Sequence, residues 1–407
     1  MNNLKDYIIT EADDQDVYKF SMQHFYWFND LLNINVEWAL YNRGKIVFPE
    51  GFGEALQYQV DHMKDVVFTE EILENLRVNY PYFYPDYINK YLRNFKYKPE
   101  NIIIEDNGQK ITVKGTLGET TFWETQLMAM MSELYNFMMG HNEIYDANLE
   151  LNNKNDIDKF LALERLDVPI IEFGMRRRFS KHNQHRVLLI AQRILGKNLI
   201  GTSNVMFGRI LGLLGKGTIA HEVPMLYAAL NGTPVGVNNE VLEKWYECYA
   251  GSLGLALPDT FTTNKFLEEL DPWYANNYIG LRQDSGDPFG FTSKYANYCS
   301  NHKIKAEDKS IVYSDSINNV PLVKSLKQVN IDTFHFNISF GIGTWFTNDL
   351  VDIIPVNWVI KLTRVFVNGV WVYTAKLSDT PGKITTLDMP TAERYKEELN
   401  IKEGDLV

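Results

Sequence analysis

The stretch Pro169-Ile-Ile-Glu-Phe-Gly-Met-Arg-Arg-Arg178 decides the reading of the fold. An apolar run of strand length breaks at a glycine into three arginines, which is how a buried parallel strand delivers polar groups to the loop after it. The same grammar recurs downstream. Leu199–Thr202 runs into Ser203 and Asn204, Thr218–Ala220 into His221 and Glu222, and Ile279–Arg282 into Gln283-Asp-Ser-Gly-Asp287. Ile311–Ser314 runs into Asp315, Phe334–Phe340 into Gly341-Ile-Gly-Thr344, and Val356–Leu362 is one more run of this kind. With helical stretches or long loops between the runs, residues 136–364 read as an irregular, TIM-like α/β barrel, whose chemistry is expected at the strand ends.

Residues 1–135 follow a different pattern. Met22–Leu32 reads as a helix, Val36–Asn42 as a strand, and Gly53–Val66 and Thr69–Val78 as helices. Asn107-Gly108 between Ile102–Glu105 and Lys110–Val113 marks a hairpin, because both turn positions tolerate positive φ. This is an additional α+β domain, to which part of 365–407 is expected to add. Those last residues hold a second hairpin around Asn368-Gly369 and a charged helix.

The 407 residues carry 40 Lys+Arg and 52 Asp+Glu, a net charge of −12. An acidic surface argues against nucleic acid or an anionic membrane as partner. The charge is uneven. Val168–His221 contains nine basic residues and the single acid Glu172, a local +8 that leaves −20 for the rest, and this predicts an anion pocket inside an acidic shell. Glu11, Asp13, Asp14 and Asp16 stand where a signal peptide needs apolar residues, and Glu124 and Glu133 interrupt the most lipid-like stretch, Thr121–Met139. With only Cys248 and Cys299, a reducing, cytoplasmic location is expected.

Taken singly, each strand-end motif has two readings. Arg176–Arg178 is a solvated loop or a guanidinium fork for carboxylate or phosphate. Gly341–Thr344 is a turn or a phosphate cradle of backbone N–H groups with a hydroxyl beside it. His221 is a core histidine or a reactive one. Asp284 and Asp287 either cap a helix before Pro288 or contact ribose hydroxyls or Mg²⁺, and Asp315 shares that ambiguity. Gly215-Lys-Gly-Thr218 lacks the hydroxyl residue after the lysine and the leading glycine of a P-loop, and His221-Glu222 lacks a second histidine at Met225 for a zinc helix.

Taken in order, the motifs are more specific. Glu172-Phe-Gly-Met-Arg-Arg-Arg-Phe-Ser180, Gly201-Thr-Ser-Asn204, Gly217-Thr-Ile-Ala-His-Glu222, Gly280-Leu-Arg-Gln-Asp-Ser-Gly-Asp-Pro288, Tyr313-Ser-Asp315 and Phe340-Gly-Ile-Gly-Thr344 closely resemble the nicotinate phosphoribosyltransferase family. So do Asp14-x-Asp16-x-Tyr18-Lys19 and Lys376-Leu-Ser-Asp-x-Pro-Gly-Lys383, so that the resemblance covers essentially the whole chain. It implies a type II phosphoribosyltransferase fold and a homodimer with shared active sites. The implied substrates are nicotinate and phosphoribosyl pyrophosphate, with Mg²⁺ as cofactor and ATP as co-substrate. His221 falls on the residue that becomes a phosphohistidine, and Asp259 on the carboxylate that orients it.

The resemblance further assigns nicotinate to Arg176, Arg282, Thr218 and Tyr18, the last reaching in from the other subunit. It places the phosphoribosyl group against Asp284, Asp315, Gly341, Gly343 and Thr344. Asn204 stands where nicotinamide-using relatives have an Asp, and on that ground it is expected to favour the acid substrate. The alternatives are a nicotinamide or quinolinate phosphoribosyltransferase and, in another class, a sugar-binding or glycosidase-type barrel. The latter leaves the arginine triplet and the glycine loop unexplained.

Overall fold

A computed structural model describes residues 3–402. The strands are β1 (Asn35–Tyr41), β2 (Ile102–Glu105), β3 (Lys110–Thr116), β4 (Ile170–Glu172), β5 (Leu199–Thr202), β6 (Leu255–Ala256), β7 (Gly280–Gln283), β8 (Ser310–Tyr313), β9 (Asn337–Ile342), β10 (Val359–Val367) and β11 (Val370–Tyr373). They form a six-stranded parallel sheet and a five-stranded antiparallel sheet, within a mixed α/β fold. The chain divides into two compact units, each assembled from separated segments: Met1–Trp27, Trp38–Gly217 and Ile342–Lys361 in the first, and Phe28–Glu37, Thr218–Gly341 and Leu362–Val407 in the second.

In the first unit the β2–β3 hairpin pairs Ile102 with Val113 and Glu105 with Lys110. Its turn uses positive φ at Asn107 (51°) and Gly108 (90°), the geometry that Asn-Gly supplies cheaply. The lipid-like stretch is the buried helix Trp123–Met138. Its two acids are partnered inside the protein: Glu124 binds Lys19 at 2.6 Å and Lys361 at 3.1 Å, and Glu133 accepts the Lys181 N–H at 2.8 Å. Parallel β4 and β5 align Glu172 with Thr202.

In the second unit β6, β7, β8 and β9 lie side by side in that order, all parallel. Leu281, Ile311, Val312, Tyr313 and Phe340 are buried along them, which accounts for their near-continuous apolar sequence. The second hairpin, β10–β11, turns at Asn368 and Gly369, again at positive φ.

Three expected elements differ. Thr218–Ala220 is irregular, and Leu255–Ala256 supplies the strand beside β7; two residues are too few to register as a pattern. Val356–Leu362 is not a parallel strand: Val359–Val367 is one continuous antiparallel strand that includes the first arm of the hairpin. A run buried on both faces looks the same in either kind of sheet. The first helix spans Val17–Phe28, starting before Met22. Among the described residues, no helix is long and apolar enough to cross a membrane.

Gly280 is a steric requirement of the β7–β8 pairing. A Cβ there would fall 1.9 Å from the Ser310 carbonyl oxygen. Gly280→Ala therefore forces the strands apart and is expected to cost about 2–3 kcal/mol, as overpacking does. Urea unfolding of the variant checks this, and an unchanged midpoint would contradict the packing argument.

Candidate active site

In the second unit, three successive parallel strands carry carboxylates just past their C-terminal ends, and two of these, Asp259 and Asp284, meet at His221. Asp259 follows β6, Asp284 follows β7 directly, and Asp315 lies just beyond β8. His221 is the residue that leads into the helix Glu222–Asn231. Its Nε2 lies 2.8 Å from Asp259 Oδ1 and 3.7 Å from Asp284 Oδ2. Asp259 Oδ2 is held from the other side by Lys376 Nζ at 2.8 Å and by the Ser285 hydroxyl at 2.5 Å. His221, Asp259 and Lys376 are all buried.

Electrostatics fix the protonation of this group. Burial lowers the His221 imidazole from 6.5 to about 4; Lys376 pushes the same way and Asp259 opposes. For Asp259, burial favours the neutral acid, but Lys376 and His221 outweigh it and hold the carboxyl well below its usual range. Asp284 is likewise lowered against its burial, chiefly by Arg282. At neutral pH the pair is thus an imidazole donating Nε2–H to a carboxylate, with the Nδ1 lone pair free of a proton.

Arg282 projects from β7 with its Nε 3.8 Å from Asp284 Oδ1 and without a hydrogen bond. Asp315 binds Lys383, and the Thr218 hydroxyl donates to the Leu255 carbonyl at 3.2 Å. Asp287, by contrast, caps the helix Pro288–Asn301 through Gly290 N–H, so the capping reading holds there. Gly341 lies within β9. One donor atom each from His221, Asp259 and Asp284 lies within 4.8 Å of the others, a set able to hold a metal ion. Both Asp259 oxygens are engaged and Asp284 Oδ1 accepts from the Ser314 hydroxyl at 3.0 Å, so Asp284 Oδ2 is the carboxylate oxygen with most capacity for one.

The first unit assembles a second group. The Arg176 guanidinium carbon stands 5.9 Å from the centre of the Tyr18 ring, a cation–π arrangement beside the buried Glu124 and its two lysines. Asp16 accepts from the Ser203 hydroxyl at 2.6 Å; burial raises its carboxyl to about 6, with Arg176 acting against that rise. Gly343 and Thr344 lead into the short helix Thr344–Thr347.

The arginine triplet separates into three roles. Arg178 is a bidentate fork, but its carboxylate is the protein's own Asp14, at 2.8 and 2.9 Å, with both side chains wholly buried. Arg177 donates to Asn357, and Arg176 attends Tyr18. Asn204 also serves Asp14: its amide donates to Asp14 Oδ1 at 2.7 Å while its oxygen accepts from Phe207 N–H. Both polar ends of this buried side chain thus have partners within the protein. Sequence reasoning missed Lys376, Ser285 and Lys383 as site residues, although all three lie inside motifs quoted above.

Comparison with known proteins decides the family. Residues 168–403 match the profile of the nicotinate phosphoribosyltransferase (NAPRTase) family, and residues 14–132 that of its N-terminal domain. The chain belongs to the nicotinate phosphoribosyltransferase family. It is 35% identical over 378 residues to the nicotinate phosphoribosyltransferase of Chromohalobacter salexigens, covering 91% of this chain and 94% of that one. The corresponding enzyme of Desulforapulum autotrophicum is 34% identical over 379 residues, with the same coverage. The crystal structure of nicotinate phosphoribosyltransferase from Porphyromonas gingivalis superimposes with a TM-score of 0.90 at 30% identity, covering 97% of this chain and all of that one. The chain is accordingly an enzyme of this type.

Arg178→Met strands the buried Asp14 carboxylate and is expected to cost about 3–5 kcal/mol at pH 7. Arg178 and Lys181 hold Asp14 down at about 2 against its burial. Without Arg178 the folded-state value rises, so the acid becomes neutral as pH falls and the penalty shrinks toward pH 3. Unfolding free energies at both pH values test this; a penalty independent of pH would refute it.

Proposed function

We propose that the enzyme transfers the phosphoribosyl group of phosphoribosyl pyrophosphate to nicotinate, giving nicotinate mononucleotide and pyrophosphate. The observation that carries the reading is the buried His221–Asp259 pair beside Arg282 and Asp284 at the strand ends of a chain of this family. The pyridine nitrogen attacks the anomeric carbon as the bond to pyrophosphate breaks, through an oxocarbenium-like state that needs no strong base. What the reaction needs is positioning and stabilisation of the departing anion. Arg282 and Arg176 suit the nicotinate carboxylate, and Tyr18 offers a ring face to the pyridine. The carboxyl oxygens of Asp284 and Asp315 suit ribose hydroxyls, with Gly341, Gly343 and Thr344 at the 5′-phosphate. Thr218, hydrogen-bonded to Leu255 of β6, is proposed as the remaining nicotinate contact.

Asp284 has the hard oxygens that Mg²⁺ favours, together with substrate phosphates. Bound there, the ion would screen pyrophosphate charge. Preference for the acid over nicotinamide is assigned to Asn204, a neutral side chain where an Asp would repel the nicotinate carboxylate. The finer architecture fits an irregular α/β barrel, and shared sites would require a homodimer. A cytoplasmic setting suits two buried cysteines present as thiols. A glycosidase reading has little support, because Asp315 is matched with Lys383 and Asp284 with Arg282.

The tautomer of His221 suits the proposed ATP coupling. With Nε2–H on Asp259, Nδ1 is the nucleophile toward the γ-phosphorus of ATP. The Nδ1–P bond forms, the bridging P–O bond breaks and ADP leaves; water later cleaves the phosphohistidine to inorganic phosphate. Asp259 meanwhile stabilises the positive ring, as the acid of a catalytic triad does.

Product assays with nicotinate, nicotinamide and quinolinate, with and without ATP, test the main reading, and turnover of nicotinamide alone would overturn it. His221→Ala is expected to abolish ATP hydrolysis while leaving weak ATP-independent transfer, and unchanged hydrolysis would remove His221 from the coupling. Arg282→Ala should mainly raise KM for nicotinate. Because His221 stays neutral down to about pH 4, labelling by ATP should persist at pH 5, where an ordinary histidine is mostly protonated. The sign for stability is opposite. Below about pH 6.5 the unfolded chain takes up this proton and the folded one does not, so the residue disfavours folding increasingly as pH falls toward 4.

A further inference from the structure

The segment Lys376–Lys383 belongs to the second unit and lies against the ends of three of its strands. Leu377 N–H donates to Thr260 O at 2.8 Å, beyond β6. Asp379 accepts from the Thr263 N–H and hydroxyl at 2.7 and 2.6 Å, and its own N–H reaches the Ser285 hydroxyl beyond β7. Lys383 closes on Asp315 beyond β8. The backbone is held without help from the Lys376 side chain, since residues 376 and 385 exchange two backbone hydrogen bonds at 2.9 and 3.0 Å. The side chain of Lys376 is nonetheless buried, with its ammonium on the oxygen of Asp259 that His221 does not use.

A buried ion pair contributes little net stability compared with well-packed apolar residues, so this lysine calls for another explanation than holding the strap in place. Asp259 has two oxygens and three donors. Lys376 and Ser285 share Oδ2, which fixes the carboxylate plane and leaves Oδ1 for Nε2–H alone.

We propose that Lys376 is a positioning residue for the ATP-coupled half-reaction: by pinning Oδ2 of Asp259 it holds Oδ1 on Nε2–H of His221 and thereby aims Nδ1 at the phosphoryl donor. This rests on the phosphohistidine reading above and adds a residue to it. Without Lys376 the carboxylate rotates about its Cβ–Cγ bond, the imidazole loses its fixed tautomer, and Nδ1 is no longer reliably the unprotonated nitrogen. Arginine at this position restores a cation but not the compact single-point contact, so it should recover only part of the effect.

The test uses the full-length enzyme labelled from γ-³²P-ATP, with ¹⁵N-histidine spectra recorded alongside. Wild type should form acid-labile label and show His221 with a protonated Nε2 and a bare Nδ1. Lys376→Met should lower the labelling rate roughly 100-fold, on the scale of removing one preorganised electrostatic contact. It should also broaden or shift the Nε2–H signal while the protein still melts cooperatively, and Lys376→Arg should fall between the two. A lysine serving only the fold would leave the His221 spectrum unmoved. Wild-type labelling rate and spectrum in Lys376→Met overturn the proposal. Absence of label in the wild type overturns the phosphohistidine reading and this proposal with it. Should Lys376→Met fail to melt cooperatively, Lys376→Gln carries the same test with the same criteria.

Discussion

The cost of burying a carboxylate organises this enzyme. Asp259 sits in the interior with its charge intact, which is tolerable only because an ammonium, a hydroxyl and an imidazole N–H take up both oxygens. The same solution appears in the first unit, where Asp14 is met by Arg178 and Asn204, and Glu124 by Lys19 and Lys361. In each case the partners come from remote parts of the sequence, so the polar interior exists only once the chain has closed. The His221 imidazole is set by this arrangement, because a well-compensated Asp259 takes a hydrogen bond from Nε2–H while burial and Lys376 keep the ring neutral.

The compensation also revises the meaning of the charge count. The +8 of Val168–His221 suggests cations in waiting for anionic ligands. Much of that charge is matched within the protein: Arg178 and Lys181 with Asp14, Arg186 with Asp156, Lys197 with Asp167, and Arg209 with Glu11, Asp13 and Glu71. A surplus of basic residues in one segment therefore measures how many acids elsewhere need partners as much as it measures a pocket. Arg176 and Arg282 matter because their surroundings are different: one faces a tyrosine ring, and the other has an Nε that makes no hydrogen bond.

What could be read in advance follows from the range of the interactions concerned. Both Asn-Gly hairpins were legible because their signal is confined to two residues with a backbone requirement. The strand ends carrying Arg282, Asp284 and Asp315 were legible because buried strands have a marked composition and stop abruptly. Leu255–Ala256 was not, being shorter than any periodicity. The partner of Arg178 lies 164 residues away, and no local feature of Arg176–Arg178 distinguishes the arginine that would be buried from the one that would face a ring. Asn204 shows the same limit: no local feature announces that its amide also donates to Asp14 and caps a helix.

The C-terminal segment shows why so remote a piece of chain belongs to the site. Parallel strands present their C-terminal ends as a row of loops, each able to supply acids and backbone groups but none fixed against its neighbours. Lys376, Asp379 and Lys383 reach the loops after β6, β7 and β8 in turn, the two lysines through their ammonium groups and Asp379 through its backbone N–H to the Ser285 hydroxyl. Three short loops are thereby held in register by one strap whose backbone is anchored independently. A reaction that depends on preorganised dipoles and charges, and needs no strong base, gains most from that kind of restraint. At the histidine the restraining residue is a lysine, since a compact ammonium can hold a single oxygen of Asp259 and leave the other for His221.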